Sequence, residues 1–217
     1  MNKHIAEFLD RYPSLAPCSE ALNGALDALI TCYRNGGKLL ICGNGGSASD
    51  AQHIVGELMK NFILPRPIPA ADASAIRAVG GEKADFLIAA LRGALPATAL
   101  VGENAFCTAF SNDVAPEAVF AQQVYGYGKA CDVLFGITTS GNSENVVCAA
   151  IVAKAKGMKV IGLTGEGGGK LKEIADVTIA VPEKQTYRVQ ELHLPVYHAL
   201  CIALEDEFFG EGSRREQ

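Results

Sequence analysis

The sequence predicts an α/β fold with a doubly wound parallel sheet, and three observations carry that prediction. Short, almost continuously apolar runs recur at 38–42, 132–137, 159–163 and 177–181, as in strands covered on both faces. Between them lie segments whose apolar residues fall at helical spacing, so strands and helices alternate along the chain. Two of the strands, 38–42 and 132–137, empty into turns rich in glycine and hydroxyls that open directly onto a helix. In sheets of this kind the ligand site lies at the carboxyl ends of the strands, near the point where strand order switches.

Composition bounds the rest. With 217 residues, 49% of them hydrophobic, the chain can bury one substantial core, and a single domain over 1–217 is expected. The net charge of −5 comes from 19 basic and 24 acidic residues with no basic block, which excludes nucleic acid as the expected ligand. The N-terminal stretch MNKHIAEFLDRYP meets Glu7, Asp10 and Arg11 before any signal-type apolar core forms, and no window of about eighteen apolar residues exists. A soluble, cytoplasmic protein with no membrane partner is therefore expected. The 7 cysteines are widely spaced without a C-x-x-C and read as buried, reduced thiols, none placed at a glycine-rich turn beside a histidine.

Taken in order, 2–11 is a short helix stopped by Pro13, and 19–35 is a longer one with Leu22, Leu26, Leu29 and Ile30 in register before Gly36 and Gly37 end it. These N-terminal helices, within 1–35, are expected to pack on the sheet or on another subunit. After the first strand, Gly43, Gly45 and Gly46 allow a tight turn, and Ser47-x-x-Asp50 and Ser49-x-x-Gln52 offer overlapping N-cap signals. Pro65, Pro67 and Pro69 then punctuate the chain, and 66–93 reads as an insertion holding a helix at 83–92. A strand at 96–101 follows, and 105–110 leads into Ser111-Asn112-Asp113. The strand at 132–137 runs into Thr138-Thr139-Ser140-Gly141-Asn142-Ser143, and Val146, Val147, Ala150 and Ile151 mark the next helix. A glycine turn at 165–169 and a short helix at 171–175 separate the last two strands, and a long helix over 187–209 closes the chain.

The first junction has the chemistry of an anion site, because free backbone N–H groups, hydroxyls and the positive end of a helix dipole converge there. One turn further, His53 and Glu57 stand four residues apart on one helical face. Such a pair is commonly a plain exposed ion pair. Beside a phosphate cradle, among Ala51, Ile54, Val55 and Leu58, it is equally suited to holding a metal or to acid–base work. Two glycine motifs carry less. Gly43-x-Gly45-x-x-Ala48 fits the dinucleotide fingerprint, yet 63–67 supplies neither the next strand nor a ribose-binding acid. Gly167-Gly168-Gly169-Lys170 fails the P-loop pattern, since Thr164 stands at the first glycine and Leu171 follows the lysine, so it reads as a turn.

With GNGGSASDAQH and TTSGNS both in view, the chain resembles the sugar isomerase (SIS) domain family over about 20–207, most closely its phosphoheptose isomerases. The resemblance implies a flavodoxin-like α/β/α sandwich and a homotetramer with sites at subunit interfaces. It also implies conversion of sedoheptulose 7-phosphate to D-glycero-D-manno-heptose 7-phosphate. Carried across, Asn44, Gly45, Gly46, Ser47, Glu57, Asn112, Asp113, Thr138, Thr139, Ser140, Ser143 and Gln190 match substrate-binding positions. His53, Glu57, Gln190 and His198 match the zinc ligands, with Glu57 and His198 as acid/base residues. Three neutral N/O donors and one carboxylate suit a loosely held catalytic zinc better than a structural one.

Gln190 and His198 are eight residues apart, about 12 Å along a regular helix, and must lean toward a common point. Pro195 lies between them and is a candidate kink. His193 on the same helix is a rival ligand, or else a polar residue at a subunit contact. The chain departs from the compact members of the family in the length of 66–93, which would form a lid or extend an intersubunit contact, and in carrying Tyr187 where some members have aspartate. Two other readings use the same loops: a non-catalytic SIS module of the replication-initiator-associating type, and a protein acting on another sugar phosphate such as a hexosamine phosphate. The first kind lacks the full acid/base set, whereas His53, Glu57, Gln190 and His198 are all present here.

Overall fold

In the computed structural model, which describes residues 1–211, five parallel strands form one sheet: β1 (Leu39–Gly43), β2 (Ala97–Ala99), β3 (Val133–Thr138), β4 (Lys159–Thr164) and β5 (Val177–Ala180). Positions 212–217 of the expected domain lie outside the described residues. The strand order, β2-β1-β3-β4-β5, places the switch between β1 and β3. Gly43 pairs with Ile137, so the loops after β1 and β3 leave the sheet side by side. All five strands expected from the sequence are present. The second is shorter than 96–101, because the chain turns away after β2 through a Gly102 N–H bond to the Ala99 carbonyl (3.2 Å).

The apolar runs are buried on both faces, as their composition requires. Leu39 and Ile41 of β1 join a cluster with Leu22, Ile54, Phe135, Val196 and Leu200, whereas Leu40 and Cys42 point to the other face with Val124, Leu134, Val146 and Val160. Helices cover both sides. One layer holds α1 (Lys3–Arg11), α2 (Ser19–Arg34), α3 (Gly46–Met59) and the long C-terminal helix. Ile5, Phe8 and Leu22 are buried against this chain's own elements, so the N-terminal helices use their apolar faces within the subunit.

Residues 66–93 differ from expectation in two ways. They hold two helices, α4 (Ala70–Gly80) and α5 (Ala84–Ala90), where one was expected, and these pack mainly on each other, with Ala84 their one buried residue. Arg66 is no part of the excursion, since it is wholly buried in the body of the subunit. The chain leaves and returns at a neck, where the Gly93 N–H donates to the Arg66 carbonyl (2.8 Å) and the Leu95 N–H to that of Leu58 (3.0 Å).

On the far side lie α6 (Asn104–Asp113), α7 (Val119–Tyr127), α8 (Glu144–Ala155) and the short α9 (Gly169–Ile174). The sequence reading assigns nothing to 119–127, because VFAQQVYGY is apolar without a clear stripe and ends in a glycine-broken pair of tyrosines. Packing on α8 makes it a helix. The chain then closes with α10 (Thr186–Phe209), which runs through the buried Pro195 as one continuous helix. The cysteines are all free thiols; contrary to the expectation that all are buried, Cys131 is exposed and Cys107 and Cys148 are half-buried. Among the described residues no helix is long and apolar enough to cross a membrane.

Candidate active site

The first loop is a glycine turn that launches α3. Gly45 adopts φ +56°, a left-handed conformation that glycine reaches without steric cost, and serves as the N-cap. The chain therefore enters the helix two residues before Ser47 and four before Ser49, the caps expected from the sequence, and no side chain caps it. Ser47 is instead buried in the first turn, against Gly43, where an added methyl group would lie 2.9 Å from the Ser47 Cβ. Gly46 is needed for a different contact: a methyl group there would sit 2.5 Å from the Gln190 amide nitrogen. This is how α10 reaches the first loop.

The second loop is held by its own side chains. Thr138, buried at the end of β3, pairs its hydroxyl with that of Ser143 (2.9 Å), the N-terminal flank of α8. The Asn142 N–H donates to the Ser140 hydroxyl (3.1 Å), and the Gly165 N–H, following β4, donates to the Thr139 carbonyl (3.0 Å). Gly167, Gly168 and Gly169, all at positive φ, form the turn expected there and press on the loop: a methyl group on Gly141 would lie 2.0 Å from the Gly168 carbonyl oxygen. Asn44 of the first loop bonds Asn145 at the start of α8, joining the two loops. Asn112 and Asp113 pair with each other (2.8 Å) on the exposed end of α6, and no hydrogen bond among the described residues ties them to either loop.

Beyond the first loop, α3 and α10 bring three expected residues together. His53 Nε2 stands 3.2 Å from Glu57 Oε1, and the His198 ring lies 5.0 Å from the His53 ring, centroid to centroid and perpendicular. Glu57 is 7% exposed, and its other oxygen accepts from Lys60 Nζ (3.2 Å). His198 packs against Phe62, and its Nε2 is buried with no hydrogen-bond partner among the described residues. Burial, with the neighbouring His53 ring behind it, lowers the His198 pKa.

The protons on His53 can be assigned from its partners. Tyr197 donates its hydroxyl to Asp50 Oδ1 (3.2 Å), and His53 Nδ1 lies 3.0 Å from the same hydroxyl oxygen. A phenol has one proton, so with it committed to the Asp50 carboxylate, His53 Nδ1 carries the proton between them. In the neutral ring Nε2 is then a bare lone pair, facing a carboxylate. That contact is relieved by a proton on Nε2 or by a metal cation between the two groups, and a metal-binding imidazole commonly donates its other nitrogen to a second partner in this way. The donors present, His53 Nε2, Glu57 and the unpartnered His198 Nε2, thus fit a metal ion in chemistry. No group of three His, Cys, Asp or Glu side chains among the described residues is arranged to hold a metal ion.

The SIS domain family model matches residues 5–80 and 70–165. The chain belongs to the SIS domain family. This SIS domain is 38% identical to a phosphoheptose isomerase of Rhodospirillum rubrum over 197 residues, 91% of each chain. Among solved structures it matches the phosphoheptose isomerase of Neisseria gonorrhoeae with TM-score 0.72 at 35% identity, covering 94% of this chain and 95% of that one. That of Francisella tularensis gives TM-score 0.72 at 32%, covering 93% and 95%.

Two features of the SIS domain site correct or extend the sequence reading. His193 is wholly buried within the subunit, so it stands at no subunit contact, and neither ring nitrogen completes a hydrogen bond among the described residues. Burial pushes its pKa down to about 4, against a smaller opposing pull from the Thr164 backbone. Asp50 and Tyr197, which fix the His53 tautomer, were missed. Asp50 reads as part of a cap signal, nothing in the sequence singles out Tyr197, and only the crossing of α10 over α3 joins them.

Proposed function

We propose that this chain is an aldose–ketose isomerase converting sedoheptulose 7-phosphate to D-glycero-D-manno-heptose 7-phosphate by proton transfer through an enediol. The observation that carries the mechanism is the His53–Glu57 contact, 3.2 Å, with His198 beside it, one helical turn beyond a glycine loop suited to phosphate. The curated relatives over nine-tenths of the chain are phosphoheptose isomerases, which favours catalysis over the non-catalytic binding module.

The two loops take the phosphate through Ser47, Ser140, Ser143 and the helix N-termini, with Asn44, Gly45, Gly46, Thr138 and Thr139 shaping the site around it. Asn112, Asp113 and Gln190 are assigned to the sugar hydroxyls. Glu57, shielded from water, takes a proton from C1 of the ketose and returns it to C2, while His198 exchanges protons with the two oxygens. His53, Glu57, Gln190 and His198 would hold a zinc ion. When bound, zinc supplies Lewis-acid stabilisation for negative charge on the sugar oxygens. The His53 tautomer supports that assignment.

The protein acts in the cytoplasm as a homotetramer. Support for self-association comes from the exposed Val79 on α4, Phe86 and Leu87 on α5 and Leu91 just after it, apolar side chains left uncovered by a single subunit. Light scattering tests this, and a fully active monomer at micromolar concentration would defeat a shared-site tetramer. The deciding experiment for the activity is an NMR assay of sedoheptulose 7-phosphate, in which the aldose signals grow at the expense of the ketose. No turnover by zinc-loaded protein would return the binding-module reading.

A further inference from the structure

We propose that the buried ion pair Arg66–Glu205 is the positioning device that sets Glu57 of α3 against His198 of α10. It rests on the isomerase reading, which gives those two residues their roles.

The pair is fully buried, Arg66 at 0% and Glu205 at 1% exposure. Arg66 Nε donates to Glu205 Oε1 at 2.6 Å. Its other two nitrogens turn to the last turn of α3, where Nη1 donates to the Leu58 carbonyl (2.9 Å) and Nη2 to the carbonyl of Glu57 itself (3.1 Å). These are carbonyls that a helix C-terminus leaves without intrahelical partners, and a cation there also matches the helix dipole. One guanidinium thus grips the backbone of the proposed base.

Glu205 does the corresponding work on α10. It lies seven residues, or nearly two turns, beyond His198, and so on the same face. Its carboxylate accepts from the N–H groups of Phe62 (2.8 Å), Ile63 (2.8 Å) and Leu64 (3.0 Å). Phe62 in turn packs its ring on His198, 5.3 Å between centroids. Burial alone would raise the Glu205 pKa, but three backbone donors and Arg66 outweigh it and hold the carboxyl below its usual range. The pair stays charged at neutral pH, and through it the end of α3, the segment after it and α10 share one node.

Stability gives little reason for such a node, because a buried ion pair seldom outperforms apolar residues of similar volume. Its distinguishing property is geometric. Five directed hydrogen bonds besides the ion pair fix the position of the Glu57 backbone relative to α10, which apolar packing would not do as sharply.

Two variants test the proposal, each measured for Tm, for KM and kcat with sedoheptulose 7-phosphate, and by crystallography. Arg66→Lys keeps a charge for Glu205 but cannot reach both α3 carbonyls. Arg66→Met/Glu205→Leu removes both charges together, leaving none unpaired. The expected result is a folded protein whose kcat falls about 10- to 100-fold while KM stays within about twofold, since the phosphate loops are untouched. The His53–His198 ring separation should move from 5.0 Å in the same crystals. A folded variant with wild-type kcat and unchanged ring separation overturns the proposal. So does failure of both variants to fold, which would make the pair a requirement of folding. If the wild type itself turns over no sedoheptulose 7-phosphate, the isomerase reading fails separately, and the ring separation in the variant crystals decides the positioning claim.

Discussion

Asn44 and Asn145 exchange side-chain amide hydrogen bonds, each donating to the other at 2.9 Å. The exchange locks the loop after β1 to the first turn of α8, so the two halves of the proposed phosphate cradle hold one spacing before any ligand arrives. Asn145→Ala breaks both bonds without touching a serine. We expect KM for sedoheptulose 7-phosphate to rise about 3- to 10-fold with kcat little changed, the weight of one or two net hydrogen bonds. Steady-state kinetics checks this, and an unaltered KM would mean that the loops are held by other contacts.

The serines themselves should matter more. Ser140→Ala/Ser143→Ala removes the hydroxyls that brace the second loop and those offered to phosphate, and KM should rise more than in Asn145→Ala. If KM is unchanged, the phosphate binds elsewhere.

Glu57→Gln keeps the size and most of the hydrogen bonding of the proposed base. Its kcat should fall roughly 10²- to 10⁴-fold, the usual range for loss of a general base. Retained inorganic phosphate binding, followed by calorimetry, would separate this loss from damage to the loops. Near wild-type kcat would remove Glu57 from the mechanism.

Tyr197→Phe deletes the hydroxyl that His53 Nδ1 donates to. Zinc affinity, read by competition with a chromogenic chelator, should drop about 10- to 100-fold, as for other supports behind a metal-binding histidine. Unchanged affinity would show that the tautomer is set by something else, and His53→Ala with full zinc content would remove His53 from the ligand set.

His193 makes a prediction about acid stability. Its folded pKa is pushed down to about 4 from 6.5 by burial, so between those values the unfolded chain binds a proton that the folded chain refuses. The stabilisation is complete above pH 6.5 and is lost as pH falls toward 4, by roughly 3 kcal/mol in all. His193→Leu should flatten the fall. His198, also lowered by burial, acts in the same sense, so the difference between variant and wild type in denaturant titrations is the quantity to read. Equal slopes would place the His193 ring in contact with water.

What was legible in the sequence was local. Strands such as 38–42 announce themselves because burial on both faces demands an unbroken apolar run. His53 and Glu57 could be paired by helical spacing alone. Where the reading failed, a distant or backbone effect decided. Ser47-x-x-Asp50 matches a capping pattern, but the positive φ of Gly45 had already begun the helix. Tyr197 meets Asp50 across 147 positions of chain, which no local spacing records. Arg66 sits in a Pro-Arg-Pro string that looks like a surface connector, and its burial follows from Glu205, a residue 139 positions away. Glycines 167–169, by contrast, read correctly as a turn, since three in succession leave little else for the backbone to do.

The neck at Arg66 and Gly93 has a consequence for how such a chain can change its length. Because the excursion departs and comes back at a neck closed by the Gly93–Arg66 backbone hydrogen bond of 2.8 Å, with the Leu95–Leu58 bond behind it, whatever lies between Arg66 and Gly93 is added outside the sheet and its connections. A short turn could be spliced in at that point, or a different hairpin grafted, while β1, β2 and the helices that carry the site keep their register. The neck is a cloning junction supplied by the fold, where outer contacts can be exchanged between relatives without renegotiating the chemistry inside.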